Sequence, residues 1–160
     1  MKVLIVSDSH KANLNIEKAL DKEGPVDMII HCGDIEGAED YLEEYANCPL
    51  YAVAGNNDFF SKLNSEIIVN IANYRAMVTH GHYYYVSMGV SRLVEEAKRK
   101  EVDIVMYGHT HKPHIEIVDG IMVINPGSIS YPRQPDKTPT YVVMEIDEYN
   151  DANYKLKYIK

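Results

Sequence analysis

Several apolar segments of the chain are followed by polar residues that can bind a metal ion. These residues are carboxylates, amides and imidazoles, and none is a thiol: Asp8, His10, Asp34, Asn56, Asn57, Asp58, His80, His82, His109 and His111. Oxygen and nitrogen ligands of this kind suit Mn²⁺, Fe²⁺, Zn²⁺, Co²⁺ or Ni²⁺. Two ions held side by side need a bridging ligand. A carboxylate can bridge because its two oxygens carry several lone pairs, and Asp34 is the candidate bridge.

Each of these residues taken alone has an ordinary structural interpretation. Asp8 or Asp34 could cap a helix, and a single histidine such as His109 is more often exposed or hydrogen-bonded than bound to a metal. The segment "AGNND", Ala54 to Asp58, by itself predicts a tight turn, because Asn and Asp side chains bond their own backbone. The recurrence of such groups after five apolar segments is what favours a metal centre.

The first third of the chain predicts alternating strands and helices. The segments "KVLIVS", "VDMIIH" and "LYAVA" are typical of buried strands, and the helices between them are "NLNIEKALDKEG", with Asn13 as a possible cap and Gly24 as a stop, and residues 36–46. This β-α-β-α-β order favours a parallel sheet with right-handed crossovers.

The remainder of the chain predicts a second sheet. The segments "EIIVNI" and "YRAMVTH" are expected to pair, and the helix "VSRLVEEAKRKE" precedes the buried strand "VDIVMYG". The last third is mostly β, and its strands alternate, which predicts a sheet with one face toward solvent. We therefore predict an α/β fold of one domain over residues 1–160, a two-sheet sandwich with the helices outside. The metal site is expected at the carboxyl ends of the strands, where distant residues converge.

Composition excludes several classes of protein. The 160 residues include 46% hydrophobic and 25% charged residues, an ordinary globular profile. The net charge of −8 argues against a partner that is a nucleic-acid polymer. Two cysteines give neither a disulfide framework nor a CxxC metal pair. The run Val3 to Val6 is too short for a signal peptide, and no segment is long enough to span a membrane. We expect a cytoplasmic protein that does not bind membranes.

The motifs together resemble those of the calcineurin-like metallophosphoesterases, and in particular their small single-domain YfcE-like bacterial and archaeal phosphodiesterases. The resemblance runs from Lys2 to about Ser130 and rests on six motifs in order: "DSH", "GD", "GNND", "THGH", "GHTH" and "NPGS". One such motif is weak evidence, whereas the ordered set is strong. The resemblance implies a two-sheet α/β sandwich, in agreement with the order of the elements.

The resemblance also implies two metal sites that share Asp34. The first would be formed by Asp8, His10, Asp34 and His111, and the second by Asp34, Asn56, His80 and His109. Mn²⁺ is the first candidate for both ions, with Ni²⁺, Co²⁺, Fe²⁺ or Zn²⁺ as alternatives. The implied reaction is hydrolysis of a small phosphodiester by a hydroxide that bridges the ions.

The chain departs from the wider family at Asn57, where the common pattern Gly-Asn-His-Asp has a histidine that can protonate the leaving group. An amide can donate a hydrogen bond but cannot act as a general acid near neutral pH. His82 could face the substrate and replace that acid, or it could be a loop histidine without a role. Asp58 is expected to orient a ligand histidine, unless it is only a turn carboxylate. Arg133 could contact a phosphate oxygen or be a solvated charge.

Two other functions remain open. The same metals could serve a phosphomonoesterase or nucleotidase, which the sequence barely distinguishes from a diesterase. The same fold also serves as a non-catalytic scaffold in the eukaryotic retromer coat, but the retention of His10 and His80 favours catalysis. The tyrosines Tyr83 to Tyr85 could stack on a base, although packing in the core or in an interface between copies of a homo-oligomer, such as a dimer, is the favoured interpretation.

Overall fold

The computed structural model describes residues 1–160, which form two five-stranded sheets and three α-helices. The strands are β1 Lys2–Val6, β2 Met28–His31, β3 Leu50–Ala52, β4 Glu66–Ile71, β5 Tyr74–Thr79, β6 Ile104–Met106, β7 Pro113–Val118, β8 Ile121–Pro126, β9 Thr140–Ile146 and β10 Ala152–Tyr158. The helices are α1 Leu14–Glu23, α2 Glu39–Ala46 and α3 Ser91–Arg99. No helix has the length and apolar character needed to cross a membrane.

The strand order of the sheets differs from the prediction at the C-terminus. The first sheet has the order β10-β9-β1-β2-β3, and the second has the order β4-β5-β6-β8-β7. The prediction that the last strands all join the second sheet is therefore wrong, because β9 pairs antiparallel with β1 and β10 pairs with β9. All but one of the β9 residues are buried, since this strand lies inside the first sheet with both faces covered.

The layers of the sandwich are as predicted. Side chains of β1 alternate, so that Val3 and Ile5 pack between the two sheets, whereas Leu4 and Val6 face the layer of α1 and α2. The helix α3 covers the outer face of the second sheet through a cluster that includes Leu93. The predicted α/β sandwich with helices outside is confirmed.

The ends of α1 are set by backbone geometry. The helix stops at Gly24, which has a φ of 72°, a left-handed conformation that favours glycine. Asn13 stands at the N-cap position, but its side chain makes no capping hydrogen bond. Asn13 therefore occupies the predicted cap position without a side-chain hydrogen bond, and Gly24 ends the helix as expected.

Candidate metal centre

The loops that follow five parallel strands meet at one edge of the sandwich. In the first sheet β1 pairs parallel with β2, and β2 with β3. In the second sheet β5 pairs parallel with β6. The seven residues predicted as metal ligands stand in the loops after these strands: Asp8, His10, Asp34, Asn56, His80, His109 and His111. The structure brings these seven side chains into one cluster that joins the two sheets.

Four of the side chains form a compact group on one side of the cluster. Donor atoms of Asp8, His10, Asp34 and His111 all lie within 4.8 Å of one another. His111 Nε2 lies 3.1 Å from Asp8 Oδ1, and His10 Nε2 lies 3.7 Å from Asp34 Oδ2. These are the residues predicted for the first metal site.

The residues predicted for the second site adjoin the first group. Asn56 Oδ1 lies 3.0 Å from His80 Nε2 and 3.0 Å from His109 Nδ1. His80 Nε2 is also 3.4 Å from Asp34 Oδ2. The same carboxylate oxygen of Asp34 therefore faces histidines of both groups, as a bridging ligand would.

Burial differs across the cluster in a way that leaves one side accessible. Asp8, Asp34, His80 and His111 are buried, whereas His10 and His109 are half-buried and Asn56 is exposed. The buried residues form the floor of the site, and the others form a mouth that a substrate and water can reach.

In three histidines the ring nitrogen that points away from the cluster, Nδ1, donates a hydrogen bond to an oxygen acceptor. His80 Nδ1 lies 2.7 Å from the Cys32 carbonyl oxygen, and His111 Nδ1 lies 2.7 Å from that of Tyr131. His10 Nδ1 lies 2.7 Å from Glu36 Oε1. Since each partner accepts, Nδ1 carries the proton, and in the neutral ring Nε2 presents a lone pair to the centre. Acceptors that hold Nδ1 from outside in this way fix the orientation of metal-binding histidines.

The ring nitrogens and carboxylate oxygens that face the interior of the cluster would be stabilised by a positive charge between them. The Nε2 lone pairs of His80 and His111 face carboxylate oxygens, and the buried atom Asp8 Oδ1 makes no hydrogen bond. Burial would lower the pKa of both histidines, but the nearby carboxylates raise it above its ordinary value: Asp34 and Asp8 act on His80, and Asp8 acts on His111. The cluster thus attracts cations, and its oxygen and nitrogen donors fit a divalent metal ion.

The Asp58 carboxylate accepts hydrogen bonds from backbone N–H groups rather than from a histidine. Its Oδ2 accepts hydrogen bonds from the N–H groups of Asp34 at 2.8 Å and Gly55 at 2.6 Å, and its Oδ1 accepts from the N–H of Glu36 at 2.7 Å. The expectation that Asp58 contacts a ligand histidine is wrong for this structure. The carboxylate ties the loop after β2 to the loop after β3, and so places Asp34 opposite Asn56.

Glu36 is a site residue that sequence reasoning missed. Its carboxylate contacts the outer nitrogen of His10, and its backbone has a φ of 57°. In the sequence Glu36 was the first residue assigned to the second predicted helix. That helix instead begins at Glu39, and a carboxylate two residues after Asp34 is the only signal that could have indicated the role.

Asn57 contacts the candidate bridge directly. Its side-chain Nδ2 donates to Asp34 Oδ2 at 2.9 Å, and its backbone N–H donates to Asp34 Oδ1 at 2.8 Å. Burial would raise the pKa of Asp34, but hydrogen bonds from His80 and Asn57 and the charge of His80 hold it well below its usual range. Asn57 therefore helps to keep Asp34 ionised and oriented.

His82 and Arg133 lie on opposite sides of the cluster. The His82 ring centre is 5.4 Å from that of His80 and 6.0 Å from that of His109. Its Nδ1 is buried without a hydrogen-bond partner. Arg133 is exposed and lines a shallow cavity with His10, His111 and Tyr131. Next to His82, Tyr83 and Tyr85 are exposed, so they do not pack in the core, and their packing in an interface between copies stays a prediction.

Local backbone geometry explains two of the glycines in the motifs. A Cβ at Gly55 would lie 2.2 Å from Asp34 Oδ1, and one at Gly108 would lie 2.0 Å from Ser7 Oγ and 2.7 Å from Asp8 Oδ2. Only glycine permits these approaches. In addition, five of the seven predicted ligands have a left-handed backbone: Asp8, His10, Asp34, His109 and His111. Non-glycine residues of this kind concentrate at functional sites.

Comparison with known proteins gives matches to phosphoesterases, in agreement with the geometry of the site. Residues 1–149 match the family described as the calcineurin-like phosphoesterase superfamily domain. The probable metallophosphoesterase YsnB of Bacillus subtilis is 34% identical over 155 residues, which cover 95% of this chain and 87% of that protein. The phosphodiesterase MJ0936 of Methanocaldococcus jannaschii is 35% identical over 144 residues, covering 79% of this chain and 83% of that one.

A solved structure supports the same relationship at the level of the fold. The crystal structure of a predicted phosphoesterase from Streptococcus pneumoniae superposes with a TM-score of 0.82 and 31% sequence identity. The match covers 99% of this chain and 88% of that chain. The topology described above is therefore shared by a protein of similar sequence.

Proposed function

The chain belongs to the calcineurin-like phosphoesterase superfamily and is a metal-dependent phosphoesterase, and we propose that it hydrolyses small phosphodiesters with two divalent ions. One observation carries this proposal. The Nε2 atoms of His10, His80 and His111 point inward at the carboxylates of Asp8 and Asp34, while each Nδ1 is held from outside by an acceptor. Such a set of oriented lone pairs is a set of metal ligands.

The cluster divides into two ligand groups around Asp34. One group would consist of Asp8, His10, Asp34 and His111, and the other of Asp34, Asn56, His80 and His109, with Mn²⁺ the first candidate for each ion. Bound divalent ions would supply positive charge that lowers the pKa of a water molecule and neutralises the phosphoryl oxygens.

The residues of the mouth would act on the substrate. Arg133 lies beside His10 and His111 and would donate hydrogen bonds to a phosphoryl oxygen. His82 lies beside the other group, where it would face the leaving group. Burial and the charges of His80 and His109 lower the pKa of His82, so it is mostly neutral near pH 7 and a weak proton donor.

Asn57 cannot supply the proton for the leaving group either. Its amide is already bonded to Asp34, and an amide cannot act as a general acid near neutral pH. The site therefore has no strong acid for the leaving group. We expect esters with good leaving groups, such as aryl diesters, to be hydrolysed much faster than alkyl diesters, since general acid catalysis typically contributes about 10²–10⁴-fold.

A reconstitution experiment tests the proposal. Purified protein is treated with EDTA, its metal content is measured, and hydrolysis of matched mono- and diesters is followed as Mn²⁺, Ni²⁺, Co²⁺, Fe²⁺ or Zn²⁺ is added. We expect no turnover without metal and restored turnover with a preference for diesters. A preference for monoesters would replace the diesterase proposal with a monoesterase. Metal-independent turnover, or none with any ion, would contradict the proposed function.

A further inference from the structure

The two phenylalanines of the chain both lie outside the hydrophobic core, in the loop that follows the motif "GNND". The sequence contains no other phenylalanine. Phe59 is 74% exposed and Phe60 is fully exposed. Large aromatic side chains dominate protein cores because they bury so much apolar surface. Two adjacent phenylalanines kept in water beside a candidate active site therefore indicate a binding role.

The two rings line a cavity that adjoins the metal centre. This cavity has a volume of about 370 Å³ and is lined by ten residues, which include Phe59, Phe60, Asn57 and Glu36. Asn57 hydrogen-bonds to Asp34, and Glu36 hydrogen-bonds to His10. The cavity thus shares its inner wall with the residues that orient two candidate metal ligands, and its volume is within the range of small-molecule sites.

Charge in the cavity favours an anionic ligand. Lys11 and Lys62 line it, and neither forms an ion pair with a carboxylate of the chain, although the net charge is −8. Three carboxylates also line the cavity, but Glu36 contacts His10 and Asp58 accepts backbone N–H groups, so Glu39 is the one carboxylate left beside the two ammonium groups. Two free ammonium groups beside two exposed rings match a phosphate that carries an aromatic group.

Chain geometry places Phe59 close to the metal centre. Phe59 is two residues from Asn57, so their Cα atoms are at most about 7 Å apart. An aromatic group attached to phosphorus directly or through one sugar therefore has a length suited to reaching Phe59 from the cluster.

We propose that this cavity, which we call the Phe59–Phe60 pocket, binds the aromatic portion of a phosphate ester, with the rings stacking on it and Lys11 and Lys62 neutralising the phosphate. The substrate class is then an aryl or nucleoside phosphodiester. The proposal rests on the proposed function for its catalytic meaning, but the binding itself can be measured separately.

The test is equilibrium binding to Mn²⁺-supplemented protein by calorimetry, with phosphate release monitored in parallel. The ligands are AMP, phenyl phosphate, ribose 5-phosphate and adenosine. We expect AMP or phenyl phosphate to bind at least tenfold more tightly than ribose 5-phosphate, since stacking of one base contributes about this factor. The better ligand of the two identifies the source of the ring, a nucleobase or a simple aryl group.

Variants separate the two contributions. Phe59→Ala/Phe60→Ala should remove the preference for the aromatic ligands and leave ribose 5-phosphate unchanged. Lys11→Ala/Lys62→Ala should weaken all three phosphates and spare adenosine. Tyr149→Ala is the matched control, because Tyr149 is 80% exposed in the turn between β9 and β10. Since all these side chains are at the surface, the variants should fold, which a thermal melt verifies.

Equal affinities of wild type for AMP, phenyl phosphate and ribose 5-phosphate would overturn the pocket, as would aromatic affinity that survives loss of both phenylalanines. Diester turnover without an aromatic preference would leave the proposed function standing and remove only the pocket. Phenylalanine-dependent binding of AMP by a protein that hydrolyses no ester would support the pocket and contradict the proposed function.

Discussion

Asn57 Nδ2 donates a hydrogen bond to Asp34 Oδ2 at 2.9 Å, on the carboxylate oxygen that also lies 3.4 Å from His80 Nε2. The residue that stands where the wider family has a histidine is thus bonded to the candidate bridge between two metal groups. Its contribution in this chain is to orient that bridge, which is a different task from protonating a leaving group.

Loss of the Asn57 amide should weaken metal binding. Asn57→Ala removes the side-chain donor and leaves the Asp34 carboxylate with only the backbone N–H of residue 57 as a hydrogen-bond donor from this loop, at 2.8 Å. Removal of such a partner typically lowers metal affinity or activity about 10–100-fold. Titration of metal-free protein with Mn²⁺ measures the effect, and Asn64→Ala, at an exposed position of the same loop, is the control. Wild-type Mn²⁺ affinity in Asn57→Ala would show that the contact has no orienting role.

Glu36 should support metal binding through His10. Glu36→Ala removes the acceptor that fixes the His10 ring with Nε2 inward, and we expect Mn²⁺ affinity to fall about 10–100-fold. Glu36→Gln keeps an oxygen acceptor and should lose less. Nitrogen chemical shifts of His10 report the tautomer in each variant. Glu44→Ala, which removes an equal charge from an exposed position, separates the specific contact from the change in net charge; a comparable loss in that control would sink the assignment.

Asp34 and Asp58 should differ in what their substitution damages. Asp34→Asn removes the charge between both groups and should reduce the number of Mn²⁺ ions bound per chain. Asp58→Asn replaces one of the two oxygens that accept from backbone N–H groups by an NH2 donor, and a buried donor left without a partner costs about 1–3 kcal/mol. It should therefore lower the melting temperature of the metal-free protein. Metal stoichiometry and thermal unfolding of both variants decide the point, and full metal occupancy in Asp34→Asn would refute the bridging role.

His31 should make the metal-free protein sensitive to acid. The ring is fully buried, with Nδ1 accepting from the Gly33 N–H at 3.2 Å and Nε2 lying 2.9 Å from Ser9 Oγ. Burial lowers the pKa of His31 to about 4. Because the unfolded chain binds a proton near pH 6.5 and the folded chain does so only near pH 4, this residue makes the free energy of unfolding fall as the pH decreases between those values. The loss is about 3 kcal/mol in total.

Urea unfolding of EDTA-treated wild type and His31→Gln at several pH values between 7.5 and 4 tests this prediction. The difference between the two pH slopes isolates His31 from the other histidines of the cluster. Parallel slopes would mean that His31 is not held neutral by the fold.

The alternation of strands and helices was sufficient to predict the layers, but not which sheet receives the last strands. The strand β9 is buried on both faces because the second sheet packs on one face and the layer of α1 and α2 packs on the other. Its sequence "TYVVMEI" has a polar residue near its end but no signal for its neighbour. Pairing of β9 with β1 joins the two ends of the chain, and a contact between such distant segments is not encoded in local pattern.

In the candidate site the ligands could be predicted from the sequence, but the contacts of the residues that position them could not. The seven predicted ligands follow apolar strands, and parallel pairing alone suffices to gather them at one edge. The contacts of Glu36 and Asp58 arise from left-handed turns in two loops, whose course depends on packing between those loops. Spacing in the sequence carries no information on which carboxylate will face a ring nitrogen and which will face backbone N–H groups.

Two metal ions that share Asp34 are the central feature of the proposed site. Anomalous diffraction from a crystal soaked in Mn²⁺ tests it most directly. We predict two anomalous peaks about 3.5–4 Å apart, both at coordinating distance from Asp34, one also bound by Asp8, His10 and His111 and the other by Asn56, His80 and His109. No peak in the cluster, or a single peak that does not touch Asp34, would contradict the account.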